Sequence, residues 1–246
     1  MAKENDRVST GIIGLDAKMQ GGLVRGSANL LVGKAGTGKT SFAVSFLYKG
    51  ALEGEPGICV TTEESEADVK KDISSMFGWD LEALEKKKLL KFLSIKPVLP
   101  MRRVTDDQLA QTTKIYVFDI ADKIRQAVKE MKAKRVVVDS VSIIEMFVKD
   151  EYIAKVALMQ FVENMKSLDI TSLLTGTIPE MSDALSGKGI IEYIVDGIIK
   201  LNLIPVTEEF KRTVLIRKMR RTDHSTLVHP FEITKNGLKV IEVKDL

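Results

Sequence analysis

The run GKAGTGKT, residues 33–40, matches the phosphate-loop (Walker A) pattern G-x-x-x-x-G-K-[ST] at every position. Its residue types suit the cradling of a nucleotide's phosphates. Gly33, Gly36 and Gly38 open backbone conformations that bulkier residues avoid, so that successive N–H groups can converge on an anion. The helix expected to follow aims its positive end at the same point. Lys39 is suited to reach the β- and γ-phosphates, and the Thr40 hydroxyl to ligate Mg²⁺. The binding run is therefore read as Gly33, Lys34, Ala35, Gly36, Thr37, Gly38, Lys39, Thr40 and the adjoining Ser41.

Carboxylates supply the rest of a phosphoryl-transfer site. Asp139 closes the apolar run RVVVD and is read as a second holder of Mg²⁺ beside Thr40. The competing reading makes it a helix N-cap. Glu63 and Glu64 close GICVTTEE. At the carboxyl edge of a parallel sheet, a glutamate can orient and deprotonate water for attack on the γ-phosphate. Adjacent strand residues face opposite ways, so a regular strand sends only one of the pair inward. The alternative is that EESEAD is a solvated, acidic helix start.

Far along the chain, RKMRR (217–221) puts four cations into five residues. Lys218 and Arg220 are two apart on a predicted strand and share a face, with Arg217 and Arg221 on the other. Two cations aimed at one triphosphate would stabilise charge in its transition state. An edge strand protected from pairing by its charges is the plainer reading.

Positioning these groups requires strands and helices in alternation. The pattern predicts strands over 27–33, 57–64, 89–95, 135–140 and 170–178. Helices are expected over 39–52, 66–77, 119–133 and 150–168. Near-continuous apolar strands separated by helices indicate a parallel sheet covered on both faces. After Gly189 the pattern becomes strands joined by short turns, with Asn236–Gly237 as a hairpin signal, so the sheet is expected to continue with antiparallel or mixed strands. PEMSDALSGK, 179–188, reads as a loop.

Composition bounds the function. Thirty-seven Lys and Arg against 34 Asp and Glu give a net charge of +3, too balanced to indicate nucleic acid or membrane. The one cysteine, Cys59, excludes an intrachain disulfide and a cysteine-based metal cluster. The polar start MAKENDRVST has no signal core, and no uncharged apolar run reaches about 18 residues, so a cytoplasmic protein without a membrane span is expected. The charge-rich composition, with five Asn and five Gln, leans toward a thermophile.

In combination these motifs resemble the single-domain KaiC-like ATPases of the RecA superfamily, over nearly the whole chain. STGIIGLDAKMQGGLVRGS resembles the family's entry to its phosphate loop, and TTEE its paired glutamates. FGWDLEAL, RVVVDS and LLTGT follow in family order, and RKMRRTDH and PFEITKNGLKV close it. The resemblance implies an α/β, RecA-like P-loop NTPase core: a mostly parallel twisted sheet, helices on both faces, antiparallel strands at the C-terminal end, and one domain over 1–246. It implies ATP with Mg²⁺, slow hydrolysis, and a homohexameric ring with ATP between subunits. On the matching positions, Glu63 and Glu64 lie near the attacking water, while Lys218 and Arg220 reach the neighbour's γ-phosphate.

The chain departs from the family in three ways. It has one phosphate loop, where the clock proteins carry two domains in tandem. Where one clock domain phosphorylates adjacent Ser and Thr, this chain reads GIIEYIVDG, with Glu192 and Tyr193. Arg221 stands where the family's KMRG has glycine, which puts the local turn and the aim of Arg220 in question. Three functions compete: an ATPase driving a conformational switch, an ATP-controlled nucleic-acid machine, and a regulatory ATP-binding module with negligible turnover. Arg217, Arg221, Lys211 and Arg212 could line a pore for nucleic acid, but the 179–190 segment is neither basic nor aromatic. No protein client is legible.

Overall fold

The computed structural model describes residues 6–96, 105–147, 150–178, 191–206 and 208–241. The loop expected at 179–188 lies outside them. A short ribbon, β1 (Arg7–Val8) paired with β2 (Leu23–Val24), leads into β3 (Ala28–Gly33) and α1 (Lys39–Leu52). Then come β4 (Gly57–Thr61), α2 (Glu66–Phe77), α3 (Leu81–Lys86), β5 (Leu90–Ser94), α4 (Asp106–Met131) and β6 (Arg135–Asp139). The chain continues through α5 (Ser142–Phe147), α6 (Glu151–Lys166), β7 (Thr171–Thr177), the one-turn α7 (Ile191–Ile194), β8 (Gly197–Val206), β9 (Glu209–Met219), β10 (His229–Thr234) and β11 (Gly237–Val240).

Nine strands form one sheet in the order β11-β10-β9-β8-β3-β7-β6-β4-β5. The six from β8 to β5 are parallel, and β9, β10 and β11 join antiparallel. Alternation along each strand divides the core. Leu31, Cys59, Val137 and Leu173 face α1 and α2 through Phe42, Phe46, Val69 and Ile73. Leu30, Val32, Val60 and Val138 face α4 and α6 through Ile124, Leu158 and Phe161. Trp79 belongs to the first layer, stacked between Tyr48 (centroids 4.0 Å) and Phe77 (4.4 Å). No helix among the described residues is long and apolar enough to cross a membrane.

The sequence reading did not contain the β1–β2 ribbon or the short helices α3, α5 and α7, and two further features differ from it. α4 starts at Asp106 rather than near Asp119, because Thr105 and Gln108 form a capping box. The hairpin at Asn236 turns on Lys235 and Asn236, and Gly237 opens β11 at φ 108°. Glycine's positive φ is therefore used just after the turn, as in a bulge-type hairpin.

Arg221, where the resemblance implies glycine, takes the left-handed geometry at φ 58°. Arg7 clasps this turn, donating to Arg221 O (3.2 Å) and Thr222 Oγ1 (2.8 Å). A left-handed non-glycine residue costs about 1–2 kcal/mol, while glycine's extra unfolded-state entropy costs about 0.5–1 kcal/mol. The Arg221→Gly variant is expected to be about 0.5–1 kcal/mol more stable, read as a higher urea midpoint at unchanged slope. A lower midpoint would mean that the arginine side chain, not the backbone, holds the turn.

Candidate functional site

The carboxyl ends of β3, β4 and β6 meet at one edge, and a cavity of about 290 Å³ opens there. Ala35, Lys39, Thr40, Glu63, Glu64 and Asp139 line it, with Thr61, Val69, Ser140 and Thr177. The phosphate-loop residues occupy the turn between β3 and α1. Gly36 and Gly38 take φ of 73° and 98°, as the pattern requires. Gly33 serves differently: its φ is not positive, but a Cβ there would lie 2.5 Å from Thr37 Oγ1 and 2.8 Å from Leu201 O. Thr37 is buried, and its hydroxyl donates to Lys34 O (2.9 Å), which ties the loop to itself.

Lys39 lies across the loop, donating from Nζ to Gly33 O (2.8 Å) and Lys34 O (2.9 Å). Burial pulls its pKa below the usual lysine value, and the charges of Asp139 and Glu63 partly restore it. Thr40 Oγ1 donates to Asp139 Oδ2 (2.7 Å), and Thr175 Oγ1 donates to Asp139 Oδ1. The two groups expected to share a metal are therefore neighbours. A hydroxyl and a single carboxylate are hard oxygen donors, a set that fits Mg²⁺ completed by phosphate oxygens. Ser41 departs from expectation in its side chain. It is buried against α2, with Oγ 3.7 Å from Met76 Sδ, so only its backbone is offered to the loop.

Both glutamates line the cavity, against the expectation that a strand would admit one. β4 stops at Thr61, and a bend at 62–64 releases the pair from strand alternation. Thr62 makes the bend rigid. Its N–H donates to Asp139 O, its hydroxyl to Ser140 O, and Ser140 N–H donates back to Thr62 Oγ1, each at 2.9 Å. Thr61 Oγ1 holds Glu64 O at 3.0 Å. Ser140 Oγ donates to Glu63 Oε1 (2.6 Å), fixing that carboxylate. Desolvation, then the negative charges of Asp139, Asp72, Glu63 and Asp68, push the Glu64 carboxyl above its usual value. Thr62, Ser140 and Thr175 were missed in the sequence, although TTEE, RVVVDS and LLTGT contain one each.

Lys218 and Arg220 share a face as predicted, but not beside this cavity. β9 runs antiparallel to β8, so its end returns to the opposite edge of the sheet. Lys218 pairs with Ile198, which is level with Leu30, and Arg220 N–H donates to Asp196 O. Arg220 is therefore level with the start of β3, about 16 Å of strand from Gly33. Lys218 Nζ donates to Glu192 O (2.9 Å) and Val195 O (2.8 Å). Arg220 leans on Asp196 Oδ1 (3.4 Å) and Tyr193 O (3.5 Å). Burial, followed by the Arg220 charge, holds the Lys218 pKa down. Arg217 and Arg221 are exposed. His229 Nε2 meets Ser225 Oγ at 2.8 Å.

Comparison with known proteins places this architecture. The family profile described as "ATPase: KaiC" matches residues 8–245. A UPF0273 protein of Thermotoga maritima is 36% identical over 240 residues, covering 95% of each chain. The circadian clock oscillator protein KaiC of Parathermosynechococcus lividus is 34% identical over 235 residues; the match covers 94% of this chain and 41% of that one. A crystal structure of a KaiC-like protein from Pyrococcus horikoshii superposes with a TM-score of 0.81 at 37% identity, covering 96% of this chain and 99% of that one. The mostly parallel sheet with antiparallel C-terminal strands is thus the RecA-like fold of these proteins, and the chain belongs to the KaiC ATPase family.

Proposed function

We propose that this protein binds ATP with Mg²⁺ on residues 33–41 and hydrolyses it slowly at the interfaces of a homo-oligomeric ring, six subunits by family resemblance, to drive a conformational or regulatory switch. The observation that carries the reading is the gathering of Lys39, Thr40, Asp139, Glu63 and Glu64 around one cavity at the carboxyl edge of the parallel strands. Lys39 and the loop N–H groups bind the β- and γ-phosphates. Thr40 and Asp139 hold Mg²⁺, which when bound offsets phosphate charge. Glu63, oriented by Ser140, takes a proton from water as the water oxygen bonds the γ-phosphorus and ADP leaves. Glu64 keeps a second carboxylate beside it.

Among the described residues no cation but Lys39 lines the cavity, and Lys218 and Arg220 stand at the far edge of the same sheet. Two different surfaces, one bearing the cavity and one bearing these cations, suit a head-to-tail interface of the kind that closes into rings. The nucleic-acid alternative is weaker, because Lys211 pairs with Glu209 and Arg212 turns to Gly36 O.

The test separates binding from chemistry. The Glu63→Gln variant is expected to bind ATP as the parent does while turnover falls about 10²–10⁴-fold. Unchanged turnover would remove Glu63 from the reaction. Failure of the parent to bind ATP would end the proposal.

A further inference from the structure

Asp196 stands at the sheet edge opposite the cavity, one residue before β8. Its backbone is fixed from two sides: its N–H donates to Ala28 O, and its carbonyl accepts from Arg220 N–H, each at 2.8 Å. Its side chain is 16% exposed. Oδ2 accepts from Ala28 N–H (3.1 Å). Oδ1 accepts from two cations, Lys166 Nζ at 3.0 Å and Arg220 Nη1 at 3.4 Å. The two are held unequally. Lys166 ends α6 and also donates to Ile194 O (3.2 Å). Arg220 is 52% exposed, and its contact with Tyr193 O is 3.5 Å long, at the limit of a hydrogen bond. Lys218 differs from both. It satisfies orphan carbonyls at the end of α7, Glu192 O and Val195 O, and would strand them if it moved. Of the two cations on this face of β9, Arg220 is the one whose departure breaks little.

That departure also leaves Asp196 paired. A carboxylate this buried is costly to leave without a counter-charge. Lys166 stays on the same oxygen, and Ala28 N–H stays on the other. We propose that Asp196 is the resting latch of Arg220. It holds the guanidinium on its own subunit until a neighbour's γ-phosphate takes it, and Lys166 keeps the carboxylate paired meanwhile. The inference rests on the reading that Arg220 serves a neighbouring cavity, and it adds the groups that regulate when it does so. A long, half-exposed ion pair is weak, while a guanidinium on phosphate makes charge-assisted hydrogen bonds, so the phosphate wins the exchange. The latch sets the fraction of subunits whose finger is engaged.

The test is ATP turnover per folded chain, at saturating ATP with Mg²⁺, for the parent, Asp196→Asn, Lys166→Gln and the double variant. Asparagine keeps an acceptor for Ala28 N–H and drops the charge. Release of Arg220 is expected to raise turnover about 1.5- to 5-fold. Loss of the Lys166 charge leaves Oδ1 to Arg220, tightens the latch and is expected to lower turnover by about the same factor. The double variant has no latch to tighten, so it should turn over at least as fast as the parent. A purely structural cluster predicts losses in both single variants and a larger loss in the double. That result would overturn the inference, as would unchanged turnover in all three. Arg220→Ala separates the two readings. If it turns over like the parent, Arg220 is no finger, and the reading beneath the latch fails. If it is inactive while Asp196→Asn gains nothing, the latch alone fails. A parent without turnover ends both.

Discussion

ATP turnover is expected to return when Glu63→Gln and Arg220→Ala chains, each expected to be inactive alone, are co-refolded into one assembly. The first variant keeps the proposed finger residues and lacks the carboxylate proposed to accept the proton. The second keeps the carboxylate and lacks the finger. A finger is worth about 10³–10⁵ in turnover, so either defect silences a uniform assembly. In a random mixture, about a quarter of head-to-tail interfaces join an intact cavity to an intact finger. Those interfaces work only if Arg220 serves the neighbour. The register makes the opposite arrangement hard to build: Arg220 lies level with the start of β3, and the loop leaves from its end. No recovery in assemblies shown to be mixed would sink catalysis in trans and leave RKMRR to another partner.

The second large effect lies far from the cavity. Arg135 opens β6 and is 1% exposed. Its guanidinium donates to Glu55 Oε2 (2.8 Å), Glu53 Oε2 (2.7 Å), Ser9 O and Phe46 O (both 2.9 Å), and lies 4.9 Å from the centroid of the Phe46 ring. One side chain thus joins the N-terminal segment, the end of α1 and the sheet. Gly50 makes room, since a Cβ there would sit 2.5 Å from Arg135 Cδ. The Arg135→Met variant keeps the apolar stem but takes the donor from two carbonyls and leaves Glu53 and Glu55 with only Lys49 and Arg25 as cationic partners among the described residues. A loss of about 3–5 kcal/mol is expected, and a Tm lower by roughly 10 °C. Lysine rescues little, because one ammonium cannot match a planar fork meeting four acceptors.

The acid limb of stability carries a second readout. Burial pushes the Glu55 carboxyl up, but the hydrogen bonds and charges of Arg135 and Arg25 outweigh it and leave the pKa below the ordinary 4.5. The folded value is depressed, so this stabilisation is present above pH 4.5 and is lost as pH falls through the folded pKa. The parent should lose it on acidification, and Arg135→Met should show a shallower fall. Equal acid slopes would show that the pair does not couple to folding.

The phosphate loop was legible because its chemistry is local. Glycine backbone freedom, a lysine, a threonine and a following helix are all set within a few residues, and α1 begins at Lys39 as the pattern implies. The parallel sheet was legible from apolar runs, since a strand buried on both faces has no polar side to show. The α4 start was written in Thr105 and Gln108, yet its first turns hold exposed Ile115 and Phe118, which blur the helical stripe. The pairing of Glu63 with Glu64 in one cavity was not legible, because it depends on Thr62 bonding to residues 77 and 78 positions further along.

By itself, then, the sequence determined the residue types of the site and the order of the strands in time. Only tertiary structure decided the order of strands in space. That order depends on register between segments far apart in the chain, and no local propensity encodes it. It carries Lys218 and Arg220 away from the loop their charges fit, and it carries Arg212 toward that loop.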